Sequence, residues 1–153
     1  MIREVNKDDL EQCAGIIADC LMWDRYERTM DDARTFVNGE FERGTTIWVY
    51  EDKGEVVGFI ACIERGMMGE FPFVRSIAVH RDHRGKGVGT KLLAFAEERM
   101  FVLKPLLFMM VSDFNVDAQR LYRRLGYIKI GTVPDYKKRS ISEYMLMKRI
   151  DAV

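Results

Sequence analysis

Glycines at positions 85, 87 and 89 stand between an apolar segment and a helix-forming segment, in the run Arg84-Gly85-Lys86-Gly87-Val88-Gly89-Thr90. Where a strand turns into a helix, the first backbone N–H groups have no internal partner and the helix dipole is positive. Removing side chains at alternate positions lets such a backbone approach an anion closely. Arg81, Arg84, Lys86 and Lys91 concentrate positive charge there, in a chain whose 24 acidic and 24 basic side chains cancel. The expected ligand is a diphosphate. Two common diphosphate sites do not fit, since there is no GxxxxGK[ST] run and Leu92 stands where GxGxxG requires its third glycine. His80 and His83 flank the loop and are expected to face solvent near the phosphates.

A second block with chemistry follows at Asn115-Val116-Asp117-Ala118-Gln119-Arg120-Leu121-Tyr122-Arg123-Arg124-Leu125-Gly126-Tyr127. Asn115 is placed to cap a helix, with Ala118, Leu121, Tyr122 and Leu125 inward, three arginines near the negative end and Gly126 at the C′ position. On these residues alone, Tyr122 is an aromatic on an apolar helix face, for which packing is the default role.

Together the two blocks resemble the GNAT superfamily of N-acetyltransferases. Arg84-Gly85-Lys86-Gly87-Val88-Gly89 is similar to that family's R/Q-x-x-G-x-G/A acetyl-CoA motif, and residues 115–127 are similar to its N-x-x-A-x-x-L-Y-x-x-x-G-F/Y block. The resemblance implies an acetyl-CoA-dependent transfer of acetyl to a primary amine of a small molecule or peptide, by direct attack in a ternary complex. It implies that the coenzyme A pyrophosphate lies on the amides of residues 84–90 (Arg84, Gly85, Lys86, Gly87, Val88, Gly89 and Thr90). The pantetheine arm would then run along Ile77, Ala78 and Val79, with Asn115 contacting it and an N–H near Val79 stabilising the thioester oxygen. Only the backbone of Ile77 and Val79 takes a role; their side chains read as core. Tyr122 matches the tyrosine that protonates the departing thiolate. The family's committed glutamate base would fall on Phe73, so the base is unassigned, with Glu70 and Glu143 as candidates. A non-catalytic acyl-CoA-binding module is the alternative; it would need the loop but neither Tyr122 nor Asn115.

The elements that must position these groups read as an α/β chain with a mixed, mostly antiparallel sheet of about seven strands, one central parallel pair and four helices. Residues 2–6 read as a strand; Leu10, Cys13, Ala14, Ile17 and Leu21 recur at helical spacing, and Thr29 caps a second helix ending near Gly44. Residues 45–51 and 55–64 predict a hairpin across Asp52-Lys53-Gly54, and 71–79 a further strand. The helix bearing Leu92, Leu93, Ala96 and Met100 crosses to the apolar run Leu106 to Val111, which makes those two strands parallel. Residues 127–133 and 140–148 close the sheet around Pro134 to Arg139.

Length, charge and cysteines bound the rest. The 153 residues suit one acetyltransferase domain over 1–153. A net charge of zero gives no general pull on nucleic acid or anionic membrane. Cys13, Cys20 and Cys62 have no CxxC spacing and read as reduced thiols, and no His, Cys or acidic pair has metal-ligand spacing. Charges within MIREVNKDDL argue against a signal peptide, and no 18-residue apolar run is present, so a cytoplasmic location is expected. The turn 134–139 offers a route to a homodimer by strand exchange or sheet extension. Acceptor choice is expected from the first two helices, their junction and the last hairpin, with Trp23, Tyr26, Phe71 and Phe73 as candidate lining or core. Residues 19–43 carry seven acidic against four basic side chains, which modestly suits a cationic amine.

Overall fold

Alternating apolar residues in the central strands bury both faces of one sheet, and the helices follow from that need. The computed structural model describes residues 1–151. In chain order the elements are β1 (Ile2–Glu4), α1 (Leu10–Ala18), α2 (Leu21–Arg25), α3 (Met30–Glu42), β2 (Thr46–Asp52), β3 (Glu55–Met67), β4 (Phe71–Val79), α4 (Val88–Leu103), β5 (Leu106–Ser112), α5 (Val116–Arg124), β6 (Ile128–Val133) and β7 (Glu143–Arg149). The seven strands lie in the order β1-β2-β3-β4-β5-β7-β6, antiparallel throughout except for β4 with β5. Among the described residues no helix is long and apolar enough to cross a membrane.

Two apolar clusters sandwich the sheet. Ile60, Val57 and Trp48 meet Leu92, Leu93, Ala96 and Met100 of α4 on one face. Phe59, Val56 and Val49 meet Cys13, Ile17, Ala33 and Val37 of α1 and α3 on the other. A bulge beside Tyr50 and Glu51 switches the phase of β3, which is why Val56 and Phe59 share a face although three residues apart.

Three boundaries differ from the sequence expectation, each for a local reason. β1 stops at Glu4 because Asn6 and Asp9 form a capping box, and Asp9 is tied to Arg3 by two bonds of 2.8 and 3.0 Å. The first helix ends at Ala18, since Cys20 is extended (φ −82°, ψ 143°), and Leu21 opens a separate helix with its side chain exposed. The last strand starts at Glu143, because Ser140 has φ 72° and the Ser142 N–H is held by Asp113 Oδ2 at 3.0 Å.

Candidate active site

The parallel pair β4–β5 closes the middle of the sheet over a very short length. Phe73 pairs with Phe108 and Val74 with Met109, and beyond them the strands diverge. β5 stays in register with β7 as far as Ser112 opposite Glu143, while β4 stays with β3 as far as Val79 opposite Gly58. The sheet therefore opens as two leaves from one hinge. His80 N–H donates to the Val57 carbonyl at 2.8 Å, so strand alternation turns the N–H groups of Val79 and Ile77 away from β3 and into the opening. Unpaired strand amides inside a fold call for a partner.

A cavity of about 490 Å³ fills this opening. Ile77, Ala78 and Val79 form one wall, Met109 to Ser112 the other, and Asn115, Ala118, Leu121 and Tyr122 of the α5 segment close it. Asn115 caps α5 by accepting from Ala118 N–H at 3.4 Å and also lines the cavity. Tyr122 is buried, and its hydroxyl has no hydrogen-bond partner among the described residues. That hydroxyl is not sealed in, because among the described residues the one fully enclosed side-chain nitrogen or oxygen lacking a partner is His83 Nδ1. Burial pushes the Tyr122 phenol up to about 12.

At the mouth, Gly85 and Gly87 have φ of 72° and 84°, a region that disfavours side chains. Gly87 is the N-cap of α4 and makes no side-chain cap bond, leaving the amides of Val88, Gly89 and Thr90 without helical partners. Arg84 and Gly89 reach the cavity wall; Gly85, Lys86, Gly87, Val88 and Thr90 do not, and the Val88 side chain is core. Arg84 bridges the two sides of the mouth, donating to the Val79 carbonyl at 3.0 Å and the Asp19 carbonyl at 3.3 Å. His80 caps the following turn through Nδ1, and His83 Nε2 lies 3.8 Å from Asp52.

A second, smaller cavity of about 340 Å³ lies across the hinge. Ile17, Met22, Val74, Arg75, Ser76 and Met110 line both cavities, so the two meet where β4 and β5 separate. Glu143 stands in the wall of the smaller one. Its Oε1 accepts from the Tyr26 hydroxyl and from Ser112 Oγ, the latter at 2.6 Å, while Oε2 accepts no hydrogen bond among the described residues. Burial and the bond to Glu143 push the Tyr26 phenol up to about 12.

Residues 8–127 match the acetyltransferase (GNAT) family. The chain belongs to that family. Blasticidin-S acetyltransferase of Streptomyces morookaense is 29% identical over 105 residues, covering 63% of this chain and 76% of that protein. The uncharacterized protein ML0378 of Mycobacterium leprae (strain TN) is 34% identical over 95 residues, which are 61% of this chain but 26% of ML0378. Some curated relatives of this GNAT chain are therefore much longer than it is. The solved structure of yncA from Salmonella typhimurium, which contains its cofactor acetyl-CoA, shares the fold at a TM-score of 0.76 with 21% identity, covering 100% of this chain and 95% of that one.

The GNAT fold sorts the expected residues unevenly. Ile77, Ala78, Val79, Arg84, Gly89, Asn115 and Tyr122 converge on the larger cavity. Glu70 lies away from both cavities, in the turn before β4 at the end where parallel pairing closes the sheet, and its Oε1 takes Lys104 Nζ at 3.1 Å. Glu143 is the candidate carboxylate that reaches the junction. Of the four aromatics, Trp23 and Phe73 line the smaller cavity, Tyr26 holds Glu143, and Phe71 packs on Phe108 at 5.8 Å. None of the seven acids in 19–43 lines either cavity, so they do not form an acceptor surface. Arg75 and Lys137, which the sequence reading did not single out, do line the smaller one.

Proposed function

We propose that residues 1–153 act as one cytoplasmic domain that transfers acetyl from acetyl-CoA to a primary amine within a ternary complex. The carrying observation is the meeting of two cavities at the β4–β5 divergence, with the Tyr122 hydroxyl unpartnered in one wall and Glu143 in the other. The larger cavity fits coenzyme A on two counts: free strand amides along Ile77 to Val79 suit the amide-bearing pantetheine arm, and the Gly85 to Thr90 amides suit its pyrophosphate. Acetyl-CoA supplies the activated acyl group.

Each remaining step falls to a residue of the chain. The Val79 N–H donates to the thioester oxygen and stabilises the negative charge that develops as the amine attacks. Glu143, rather than Glu70, receives the amine proton directly or through water, and its Tyr26 and Ser112 bonds fix the carboxylate for that task. As the C–N bond forms and the C–S bond breaks, Tyr122 gives its proton to the sulfur, and solvent restores it. A buried phenol held neutral is suited to donate to a thiolate.

Isothermal titration with acetyl-CoA, followed by thiol release against an amine panel, tests this reading. Micromolar binding with amine-dependent release is expected. A folded sample that binds no acetyl-CoA overturns it, and binding without release with any amine leaves an acyl-CoA-binding module instead.

A further inference from the structure

The smaller cavity presents cationic donors that an ordinary amine does not answer. Three charged side chains stand in its wall: Arg75, Lys137 and Glu143. Glu143 already accepts from Tyr26 and Ser112 on Oε1. Arg75 gives Nε to Glu40 Oε1 at 3.2 Å, and its guanidinium carbon lies 4.8 Å from the centre of the Phe36 ring. Its two terminal nitrogens donate to nothing among the described residues. Lys137 has no ion pair among the described residues, and its Nζ lies 5.9 Å from the Tyr26 ring centre. Desolvation, and after it the like charges of Arg75 and Arg28, hold the Lys137 ammonium below its ordinary pKa. Two cations thus face the cavity with spare donors, Arg75 partly and Lys137 largely open to solvent, and spare charged donors beside a cavity suit an anionic group of the ligand.

We propose that the acceptor carries a carboxylate as well as an amine: a small, amino-acid-like molecule whose carboxylate lies against Arg75 and Lys137 and whose amine faces Glu143 at the junction. This rests on the acetyl-transfer reading above. Among the described residues Glu40 takes only the Nε of Arg75, so a carboxylate there would accept from the two free terminal nitrogens of Arg75 and from the unpaired Lys137 ammonium. About 340 Å³ is a small-molecule volume, and Trp23, Phe36, Phe73 and Tyr136 offer the acceptor's body an aromatic lining. The acidic count of residues 19–43 pointed to a plain cationic amine; the cavity wall points elsewhere.

The test uses the full chain with saturating acetyl-CoA and compares each of the proteinogenic amino acids with its decarboxylated amine, and phosphoethanolamine with ethanolamine. At least one amino acid is expected to outrun its decarboxylated counterpart about tenfold or more in kcat/KM, the scale of one charge-assisted hydrogen bond. Lys137→Met is expected to raise the KM for that amino acid about tenfold without moving the KM for acetyl-CoA, and Lys137→Arg to restore it. A panel in which no amino acid outruns its amine, a preference confined to the phosphorylated amine, or an unmoved KM in Lys137→Met overturns the inference. Acetyl-CoA titration of the same sample separates the two failures: with binding intact only the acceptor class falls, and without binding the acetyl-transfer reading falls too.

Discussion

Tyr122 and Tyr127 pack edge to face, ring centres 6.1 Å apart at 65°, and among the described residues only one hydroxyl of the pair has a partner. Tyr127 donates to Glu97 Oε1 at 2.9 Å, and Lys148 Nζ holds the other oxygen of that carboxylate at 2.8 Å. Burial and the neighbouring Glu97 charge raise the Tyr127 phenol far above its ordinary value, so it remains a neutral donor locked to its acceptor. Tyr122 has the same burial without the bond, and its hydroxyl opens on the larger cavity. Two aromatics of one motif thus differ, one fixing the helix against the sheet and one with its hydroxyl open to the cavity, as the proposed proton transfer requires.

The difference predicts opposite phenotypes for the same chemical change. Tyr122→Phe lowers kcat about 100-fold, at the low end for loss of a general acid, with acetyl-CoA affinity and melting temperature kept. Tyr127→Phe keeps kcat and costs about 1 kcal/mol of stability, because a buried Glu97 bond is lost. Thiol-release kinetics and thermal melts on both variants check this, and equal kcat losses would remove the distinction.

Proton supply from Tyr122 also sets the alkaline behaviour. With a folded pKa of about 12 against roughly 10 in the unfolded chain, the phenol's contribution to stability is complete below pH 10 and is lost as pH rises from 10 toward 12. The same protonation keeps kcat from falling on the alkaline side below pH 10. A downturn near pH 9 in the wild-type profile that survives in Tyr122→Phe would assign the proton to another group.

At the mouth, Gly87 separates strain from charge. A Cβ built there meets nothing within 4 Å, so Gly87→Ala bears only the cost of its φ of 84°, about 1 to 2 kcal/mol of stability, with modest change in acetyl-CoA affinity. Gly87→Glu adds a negative charge where the pyrophosphate is placed, and is expected to weaken acetyl-CoA about 100-fold or more, the scale of a charge repulsion at close range. Calorimetric titration of the two variants decides, and equal affinities would move the phosphates off this loop.

The loop and α5 were legible in the sequence because their signals are local. Positive-φ glycines, an Asn cap and apolar spacing within one helix turn each need only a few neighbouring residues to be read. The acceptor side was not legible, because it is assembled across the chain: Tyr26 reaches Glu143 over 117 positions, and Lys137 meets Arg75 from a different segment. No local pattern separates Glu143 from Glu70, since one opens a strand and the other stands just before one; only the sheet order places one at the hinge and the other beside Lys104. The acids of 19–43 misled for a related reason. Asp32 caps α3, Asp31 pairs with Arg34, and Glu40 is buried among Thr45, Arg43 and Arg75, so counted charge was structural charge.

Replacing Glu143 by Gln keeps the shape of the side chain and removes its capacity to take a proton. The expected result is a kcat loss of about 100-fold or more, with acetyl-CoA affinity kept. Ser112→Ala leaves the carboxylate in place but loosens one of its two holds, so a smaller loss is expected. Thiol-release kinetics on both variants check this, and rates that fall equally would return the search for the base to other groups around the junction.

Two glycines in the fold give a final contrast. A Cβ at Gly66 would lie 2.8 Å from Phe73 Cβ and 3.0 Å from Ile63 Cβ, and all three residues line the smaller cavity. Gly66→Ala must therefore push β4 at the point where Phe73 pairs with Phe108, and a cost of about 1 to 3 kcal/mol is expected from overpacking. Because the shifted wall is the acceptor's, KM for the amine should rise while KM for acetyl-CoA holds. Gly15 stands on the exposed face of α1 with nothing within 4 Å of a built Cβ, and Gly15→Ala should stabilise by about 0.5 to 1 kcal/mol through helix propensity alone. Denaturant melts of both variants read the sign, and a stabilised Gly66→Ala would show that the break in β3–β4 register between Ile63 and Met67 yields where the packing says it is full.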